Sequence, residues 1–377
     1  MRIVIAPDKF KGALSAAQVA AAIAEGVRCF DPAIDTITCP MADGGEGTVA
    51  ALIAATSGRL VSVKVVGPRP DMIVDAAYGI LGDGKTAVIE MASAGGLALL
   101  AGDQRNPLFT TTYGTGEMIR HAVAGGVSRI ILGIGGSATI DAGIGALQAL
   151  GCEIRLEGHA AGGPLVGADL QRVLAISPCP GGLPEILIAC DVENPLHGPM
   201  GAAAVYGPQK GATPEAVRRL DDDLRQLAQR TGTQSLAEKP GSGAAGGLGF
   251  GLCAFLPNAR MVPGFDLVAQ ACGFEKQLAG ADLCITGEGR FDRSSMHGKT
   301  AVGVARRCRA QGIACIVLAG SAEEDAEKAL RDQTGAIVVP IVDGPMELEQ
   351  AMAETARLLR RAATRALGLY RRRGGDN

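Results

Sequence analysis

Arg129 to Gly151 reads RIILGIGGSATIDAGIGALQALG. Its apolar β-branched run, Ile130-Ile131-Leu132, suits a strand covered on both faces. Gly133, Gly135 and Gly136 follow, where backbone can turn sharply and approach a ligand. Ser137, Thr139 and Asp141 alternate after them. An Ala- and Leu-rich helix is expected from Ala142 to Leu150, stopped by Gly151. A loop running from strand to helix leaves backbone N–H groups at the positive end of the helix dipole, which favours phosphate or carboxylate. Two hydroxyls and a carboxylate there can hold a phosphate and its magnesium. Two other readings compete. Gly133-x-Gly135-x-x-Ala138 spells the dinucleotide fingerprint, with Glu153 and Glu157 about 20 residues on, where a ribose-binding acid is expected. A chain with 54 glycines also makes such matches by chance, and the loop then only packs a helix closely on a sheet.

The 377 residues suffice for about two domains, each with its own core. Lys+Arg 36 against Asp+Glu 39 leaves a net charge of −3, so no basic field marks the chain for nucleic acid. Aromatics are scarce and Trp is absent, which argues against base-stacking platforms and carbohydrate clefts. Met1-Arg2-Ile3-Val4-Ile5-Ala6-Pro7-Asp8 reads as a strand entering a charged loop, not as a signal peptide. No segment has the ~18 uninterrupted apolar residues of a membrane span. The ten cysteines form no C-x-x-C pair and are expected as reduced core residues of a cytoplasmic protein. His121, His159, His197 and His297 are scattered; each is expected at the surface or behind a site, with no His/Cys metal cluster.

Outward from the central stretch, the strand Ile3 to Ala6 opens into Pro7-Asp8-Lys9-Phe10-Lys11-Gly12. Ser15 and Gln18 make a capping box, and Val19, Ile23 and Val27 stripe the helix that follows. Asp8, Lys9 and Lys11 are placed to meet an anion and its metal, or to form a solvated charge run. A second strand, Ile37 to Cys39, leads into Asp43-Gly44-Gly45-Glu46, two carboxylates suited to magnesium or a polar substrate, and then a helix from Thr48 to Thr56. From Leu60 the pattern alternates: Val61 to Val66 and Met72 to Ile80 form a hairpin, and Thr86 to Met91 adds a strand. Thr110 to Gly116 opens the helix Glu117 to Ala124, with its hydroxyls expected as caps ahead of the other reading, ligand contact. Ile186 to Ala189 delivers Asp191 and Asn194, with Lys210 in the segment beyond. Thr213 caps a helix from Pro214 to Thr231, with Leu220, Leu224 and Leu227 on one face. Gly241 to Gly247 spells a second glycine fingerprint with no strand before it, so a flexible or phosphate-lining loop is expected. Leu283 to Thr286 is a strand leading to a loop with Glu288, Arg290 and Asp292. The Gly298-Lys299-Thr300 ending lacks the glycine of a P-loop, since Arg293 stands there. Lys299 can still neutralise phosphate at a helix start. Ile313 to Ala319 and Ala336 to Ile341 are further strands, with Ser321 and Glu324 capping a helix that ends at Gly335. The Arg-rich tail is expected to be solvated and frayed.

Five stretches taken together resemble the type 1 bacterial glycerate kinases, the glycerate 2-kinases of glyoxylate and glucarate/galactarate breakdown. They are APDKFKGALSA (6–16), ADGGEGT (42–48), GGSATIDAGIGALQALG (135–151), CDVENPLHGPMGAAAVYGPQKGA (190–212) and TGEGRFDRSSMHGK (286–299). Ile140 departs from the polar residue expected before Asp141. The resemblance implies two unlike α/β domains. One is flavodoxin-like and discontinuous, over 1–60 and 281–377. The other, 61–280, is a mixed-sheet domain inserted into it that resembles a restriction-endonuclease core. The resemblance also implies ATP-dependent phosphorylation of D-glycerate on its 2-hydroxyl, with a site in the cleft between domains.

The residues alone agree with phosphoryl transfer, which needs positioning, charge neutralisation and a carboxylate to take a hydroxyl proton. Asp191 is the first candidate for that base, since it ends an apolar strand, and Asp292 is the second. Asp8, Lys9, Lys11, Ser137, Thr139, Asp141, Asn194, Lys210, Glu288, Arg290 and Lys299 are candidates for substrate and phosphate, and Asp43 and Glu46 for Mg²⁺. The alternative is an NAD-dependent Rossmann oxidoreductase of a small hydroxy acid, for which so many strand-end lysines and aspartates are surplus. A two-domain binding protein without catalysis leaves the carboxylates beside lysines unexplained.

Overall fold

The structure of the protein, a computed structural model, describes residues 1–158, 162–179, 181–297 and 299–373. His159, Gly298 and the last residues of the tail, 374–377, lie outside the described residues. The strands in chain order are β1 (Arg2–Ile5), β2 (Asp35–Thr38), β3 (Arg59–Val66), β4 (Ile73–Ile80), β5 (Thr86–Glu90), β6 (Arg129–Gly133), β7 (Ile154–Leu156), β8 (Val173–Ile176), β9 (Glu185–Ala189), β10 (Ala259–Val262), β11 (Leu283–Phe291), β12 (Ala314–Ala322) and β13 (Ile337–Pro340). The chain divides into two compact units. One comprises Met1–Asp43, Ala50–Thr56 and Phe265–Asn377; the other comprises Gly44–Val49 and Ser57–Gly264. This division differs from the sequence division at 44–49, 57–60 and 265–280.

In the first unit five strands lie in the order β13-β12-β11-β1-β2, every pair parallel. Counted along the chain within this unit, that order is 2-1-3-4-5, and it reverses between β1 and β11. Loops leaving the carboxyl ends of strands at such a reversal part from each other and leave a crevice for ligand. The helix Ala16–Phe30 forms as its cap predicts: Gln18 N donates to Ser15 Oγ, and Ser15 N donates to Gln18 Oε1 at 2.9 Å. Val19, Ile23 and Val27 are fully buried in the core with Ile3, Ile5, Leu283 and Leu318. The same helix packs on Thr355–Arg373, where Gly26 permits contact with the Arg360 backbone.

Three expectations are corrected in this unit. Glu288 and Arg290 are strand residues, because β11 continues beside β12 with Glu288 opposite Ala319 and Arg290 opposite Ser321. Glycine-rich sequence here marks close strand approach, with Gly320 against the Gly289 carbonyl. Ser321 is therefore in β12, and the helix Glu324–Thr334 starts after Glu323 without a side-chain cap. The tail is helical through Arg373. Arg371 donates to Asp31 at 2.6 Å, and its guanidinium lies 5.5 Å from the Phe30 ring.

The second unit holds a six-stranded mixed sheet in the order β10-β9-β6-β5-β4-β3. The four strands from β10 to β5 are parallel, and β4 and β3 are antiparallel additions made by the expected hairpin. The helix Pro214–Arg230 is capped by Thr213, which accepts from Ala216 N, and buries Leu220, Leu224 and Leu227. The short pair β7–β8 lies apart from the main sheet. It brings together the cysteines that precede and follow it, and Cys152 and Cys179 are joined as a disulfide, against the expectation that every cysteine is reduced. Gly241 to Gly247 is buried. Gly246 lies against the Thr139 carbonyl and accepts from Ala142 N at 2.9 Å, so this is packed core and no flexible loop. Among the described residues no helix is long and apolar enough to cross a membrane.

Gly26→Ala would gain helix propensity but drive a methyl into the Arg360 backbone. The clash is expected to win, lowering unfolding free energy by about 1–3 kcal/mol. Chemical denaturation of the two proteins measures it.

Candidate active site

The loop after β6 is organised by its own aspartate. Asp141 is fully buried. Its Oδ2 accepts from Thr112 N and Thr112 Oγ1, both at 2.8 Å, and from Gly145 N at 3.4 Å; its Oδ1 accepts from Gly143 N at 3.0 Å. Burial pushes its carboxyl above the usual range against these four hydrogen bonds. Ala146 N donates to Thr112 Oγ1 at 2.9 Å. The N–H groups expected to face a bound phosphate are thus turned to the chain's own anion and hydroxyl. The helix is also shorter than expected, Ile144–Ala149. Because it does not open directly from the glycines, the Gly133–Ala138 match is no dinucleotide site. Thr112 stands before the helix Tyr113–Ala124 but makes no side-chain cap; its hydroxyl is committed to Asp141. The sequence marked this hydroxyl but not its partner, which lies 29 residues away.

Lys210 is a buried cation of the second unit. Its Nζ donates to Ser137 Oγ at 2.7 Å and to the Thr139 carbonyl at 2.8 Å, and lies 5.9 Å from the Tyr206 ring. Burial drives this ammonium from 10.5 down to about 7, with the Asp141 charge pulling the other way. Thr139 Oγ1 is buried without a hydrogen-bond partner among the described residues. Tyr206, which the sequence reading did not single out, donates from its hydroxyl to Asn194 Oδ1 at 2.6 Å, and Asn194 Nδ2 donates to the Met200 carbonyl. Asp191 leaves the end of β9 half-buried, and its Oδ1 accepts from Gly264 N at 2.8 Å, where the helix Gly264–Cys272 begins. This contact spans 73 residues, so one of its oxygens secures a distant backbone N–H. Gly44 lies against Ala189, and Gly133 against the Gly44 carbonyl, so this glycine pair lets the segment cross the ends of β6 and β9. Glu46 in that segment is exposed. Val49 N, at the start of the helix Thr48–Thr56, donates to Glu90 Oε1 at 2.8 Å; the sequence carried no signal for that pairing.

In the first unit Asp8 feels the charge of Asp43, and Glu288 that of Asp8. Asp8 Oδ1 accepts from Lys9 N at 2.6 Å, and its Oδ2 accepts from Thr300 Oγ1 at 2.7 Å. Burial raises its carboxyl, and the charge of Asp43 raises it further. Lys9 Nζ is 4.0 Å from the same carboxylate. Glu288 is held up at about 7, first by burial, with Asp8 and Asp292 adding to the rise and the Ser295 hydrogen bond and Lys299 opposing it. Asp292 Oδ1 accepts from Ser294 N and Ser294 Oγ, which holds its carboxyl below the usual range. Arg290 is paired at 3.1 Å with Asp292 and at 3.0 Å with Glu323, on the exposed side. Lys299 precedes the helix Thr300–Ala310 and donates to Ser294 Oγ at 2.6 Å. Lys11 is exposed, with its backbone near Gly289. Thr300 and Ser295 hold Asp8 and Glu288, yet only their place in a hydroxyl-rich run marks them in the sequence. Among the described residues no group of three or more His, Cys, Asp or Glu is placed to hold a metal ion.

The fold defines an α/β protein with one parallel and one mixed sheet and charged groups at strand ends. A model of the glycerate kinase family matches residues 3–371. The chain is 44% identical over 369 residues to a glycerate kinase of Bacillus subtilis (strain 168), covering 96% of each. It is 44% identical over 333 residues to the glycerate 2-kinase of Escherichia coli (strain K12), covering 86% of each. A crystal structure from Salmonella typhimurium LT2, of a protein proposed to be glycerate kinase 2, aligns with TM-score 0.84 and 42% identity over the whole of both chains. The protein belongs to the glycerate kinase family. The oxidoreductase alternative finds no support in these matches.

Lys210 has a pH signature. Its folded form releases its proton at about 7, while the unfolded chain keeps one up to 10.5. The unfolded state therefore binds more protons in that window, so this group's burial cost is full below 7 and shrinks as pH rises. Lys210→Met is expected to remove that upward slope between pH 7 and 10. Unfolding free energies of both proteins across the range check it.

Proposed function

We propose that the protein transfers the γ-phosphoryl group of ATP to the 2-hydroxyl of D-glycerate, giving 2-phosphoglycerate and ADP. The observation that carries this reading is the likeness to the Escherichia coli glycerate 2-kinase, 44% identical over 86% of each chain. The site chemistry is compatible, since carboxylates, lysines and hydroxyls stand at strand ends in each unit. Phosphoryl transfer is mostly positioning and charge stabilisation. Glyoxylate- and glucarate-type acid catabolism, in the cytoplasm, is the setting we infer.

We read the first unit as flavodoxin-like, because its strand order is 2-1-3-4-5. We read the second as the inserted mixed-sheet domain with a restriction-endonuclease-like core. In domain terms this sets 61–280 between 1–60 and 281–377.

Asp43 and Glu46 are proposed to hold Mg²⁺. They are hard oxygen donors, and the negative charge of Asp43 is felt by buried Asp8, so a cation there relieves repulsion. Two carboxylates fit an ion that is usually completed by water and substrate phosphate. Bound there, Mg²⁺ would neutralise phosphate charge. Lys9, Lys11, Lys299 and Arg290 are proposed to stabilise the phosphates, with Asp8 orienting Lys9 and the Thr300 hydroxyl. Ser137, Thr139, Lys210 and Asn194 shape the substrate side, with Asp141 holding their loop. Asp191 and Asp292, marked by the sequence as catalytic, are assigned the positioning of loops. Asp191 secures Gly264, and Asp292 shapes the turn that carries Ser294 and, through it, Lys299.

Isotope-labelled ATP with D-glycerate and Mg²⁺ is expected to yield ADP and labelled 2-phosphoglycerate. Formation of the 3-phosphate alone refutes the regiochemistry, and no turnover of any hydroxy acid refutes the class. Chelation should abolish turnover. Asp43→Asn should raise the Mg²⁺ concentration for half-maximal rate by about tenfold or more, as read from a metal titration of the rate.

A further inference from the structure

Glu288 stands on β11, beside the point where the strand order of the first unit reverses. It is 9% exposed. Ser295 Oγ donates to its Oε2 at 3.1 Å. Its Oε1 is buried with no hydrogen-bond partner among the described residues. The carboxylates nearest to it in charge are differently placed. Asp8 gives one oxygen to Lys9 N and the other to Thr300 Oγ1. Asp292 gives Oδ1 to Ser294 and Oδ2 to Arg290. A buried carboxylate oxygen without a donor is costly, and such groups call for a functional account. Here the crevice at the strand-order reversal supplies one, since ligands of open α/β sheets bind there.

We propose that Glu288 is the proton acceptor in phosphoryl transfer, an assignment that rests on the kinase reading above. As the substrate hydroxyl oxygen bonds to the γ-phosphorus, its O–H bond breaks and the proton passes to Oε1 of Glu288. The bond from that phosphorus to the bridging oxygen breaks, and its electron pair leaves with ADP. Ser295 fixes the other oxygen and leaves Oε1 to face the hydroxyl. The charged groups around Glu288 are Lys299 at the helix start, Asp292 beyond the end of β11 and Asp8 beyond β1, the last shared with Lys9. Burial, with Asp8 and Asp292 behind it, outweighs Lys299 and Ser295 and leaves the carboxyl at about 7. A base poised near neutral pH accepts a proton most effectively there. Asp292, pulled down by Ser294, does not offer that combination.

The test is the pH dependence of kcat/KM for D-glycerate with the full chain, ATP and Mg²⁺. The wild-type rate should rise with pH to a plateau, with the limb centred near 7, because protonated Glu288 cannot act. Glu288→Gln should lose that limb and lower kcat by about two to four orders of magnitude while keeping its melting temperature. Ser295→Ala removes a donor to the carboxylate, so its limb should move to higher pH by about one unit, with the alkaline plateau retained. A Glu288→Gln enzyme whose kcat stays within about threefold of wild type, or that keeps the limb, overturns the assignment. If that variant does not fold, an unmoved limb in Ser295→Ala overturns it. A wild-type protein without turnover marks failure of the kinase reading itself and takes this assignment with it; loss confined to the variants cannot be confused with that.

Discussion

The carboxylate of Asp141 is the contact on which the second unit's strand-end loops depend. It sits fully buried and accepts from two backbone N–H groups of its own loop, one of Gly143 and one of Gly145, and from the backbone and hydroxyl of Thr112. An ionised acid in the interior is tolerated only when donors surround it. In return it satisfies N–H groups that a short helix start would otherwise leave bare, each worth about 1–3 kcal/mol if orphaned in the interior. Thr112 passes the link on to Ala146. Lys210, through Ser137 and Thr139, then ties the Gly207–Gly211 segment to the same loop. Asp141, Ser137 and the Thr139 carbonyl are thus met within the chain, while Thr139 Oγ1 has no hydrogen-bond partner among the described residues.

The first unit follows a different rule at its carboxyl edge. Strand order gathers acids there, and the chain compensates them only in part. Thr300 and Lys9 N hold Asp8, and Ser295 holds one oxygen of Glu288, while Asp43 adds charge that raises Asp8. Incomplete compensation of this kind costs stability. Groups perturbed by burial and by one another in this way cluster at functional sites. The Asp141 loop, by contrast, meets its buried acid with donors of the chain itself.

Local order was legible in the residues wherever the signal was short-range. Ser15 and Gln18 cap their helix, Thr213 caps another, Thr48 to Thr56 is helical, and the hairpin of β3 and β4 pairs as its alternation implies. The family was legible too, because several unusual loops occur in one order, and the match across residues 3–371 accords with it. Errors fell where glycine was read as loop. Gly287, Gly289 and Gly320 lie in paired strands, and Gly241 to Gly247 is packed interior. Glycine reports that space or backbone freedom is needed, and close packing asks for it as much as a turn does.

The sequence by itself determined which residues could carry charge to the strand ends, since periodicity places a side chain on a face and punctuation ends the strand. Only the tertiary structure decided which of those charges remain available. Asp8 meets Thr300 across 292 residues, Asp141 meets Thr112 across 29, and Lys210 meets Ser137 across 73. A hydrogen bond forms wherever the fold brings donor and acceptor within about 3 Å, and nothing in a local pattern encodes that meeting. Hence Asp141, which reads like a ligand for phosphate, serves as an internal anchor, and Glu288, which reads like one acid among several, keeps an oxygen with no hydrogen-bond partner among the described residues.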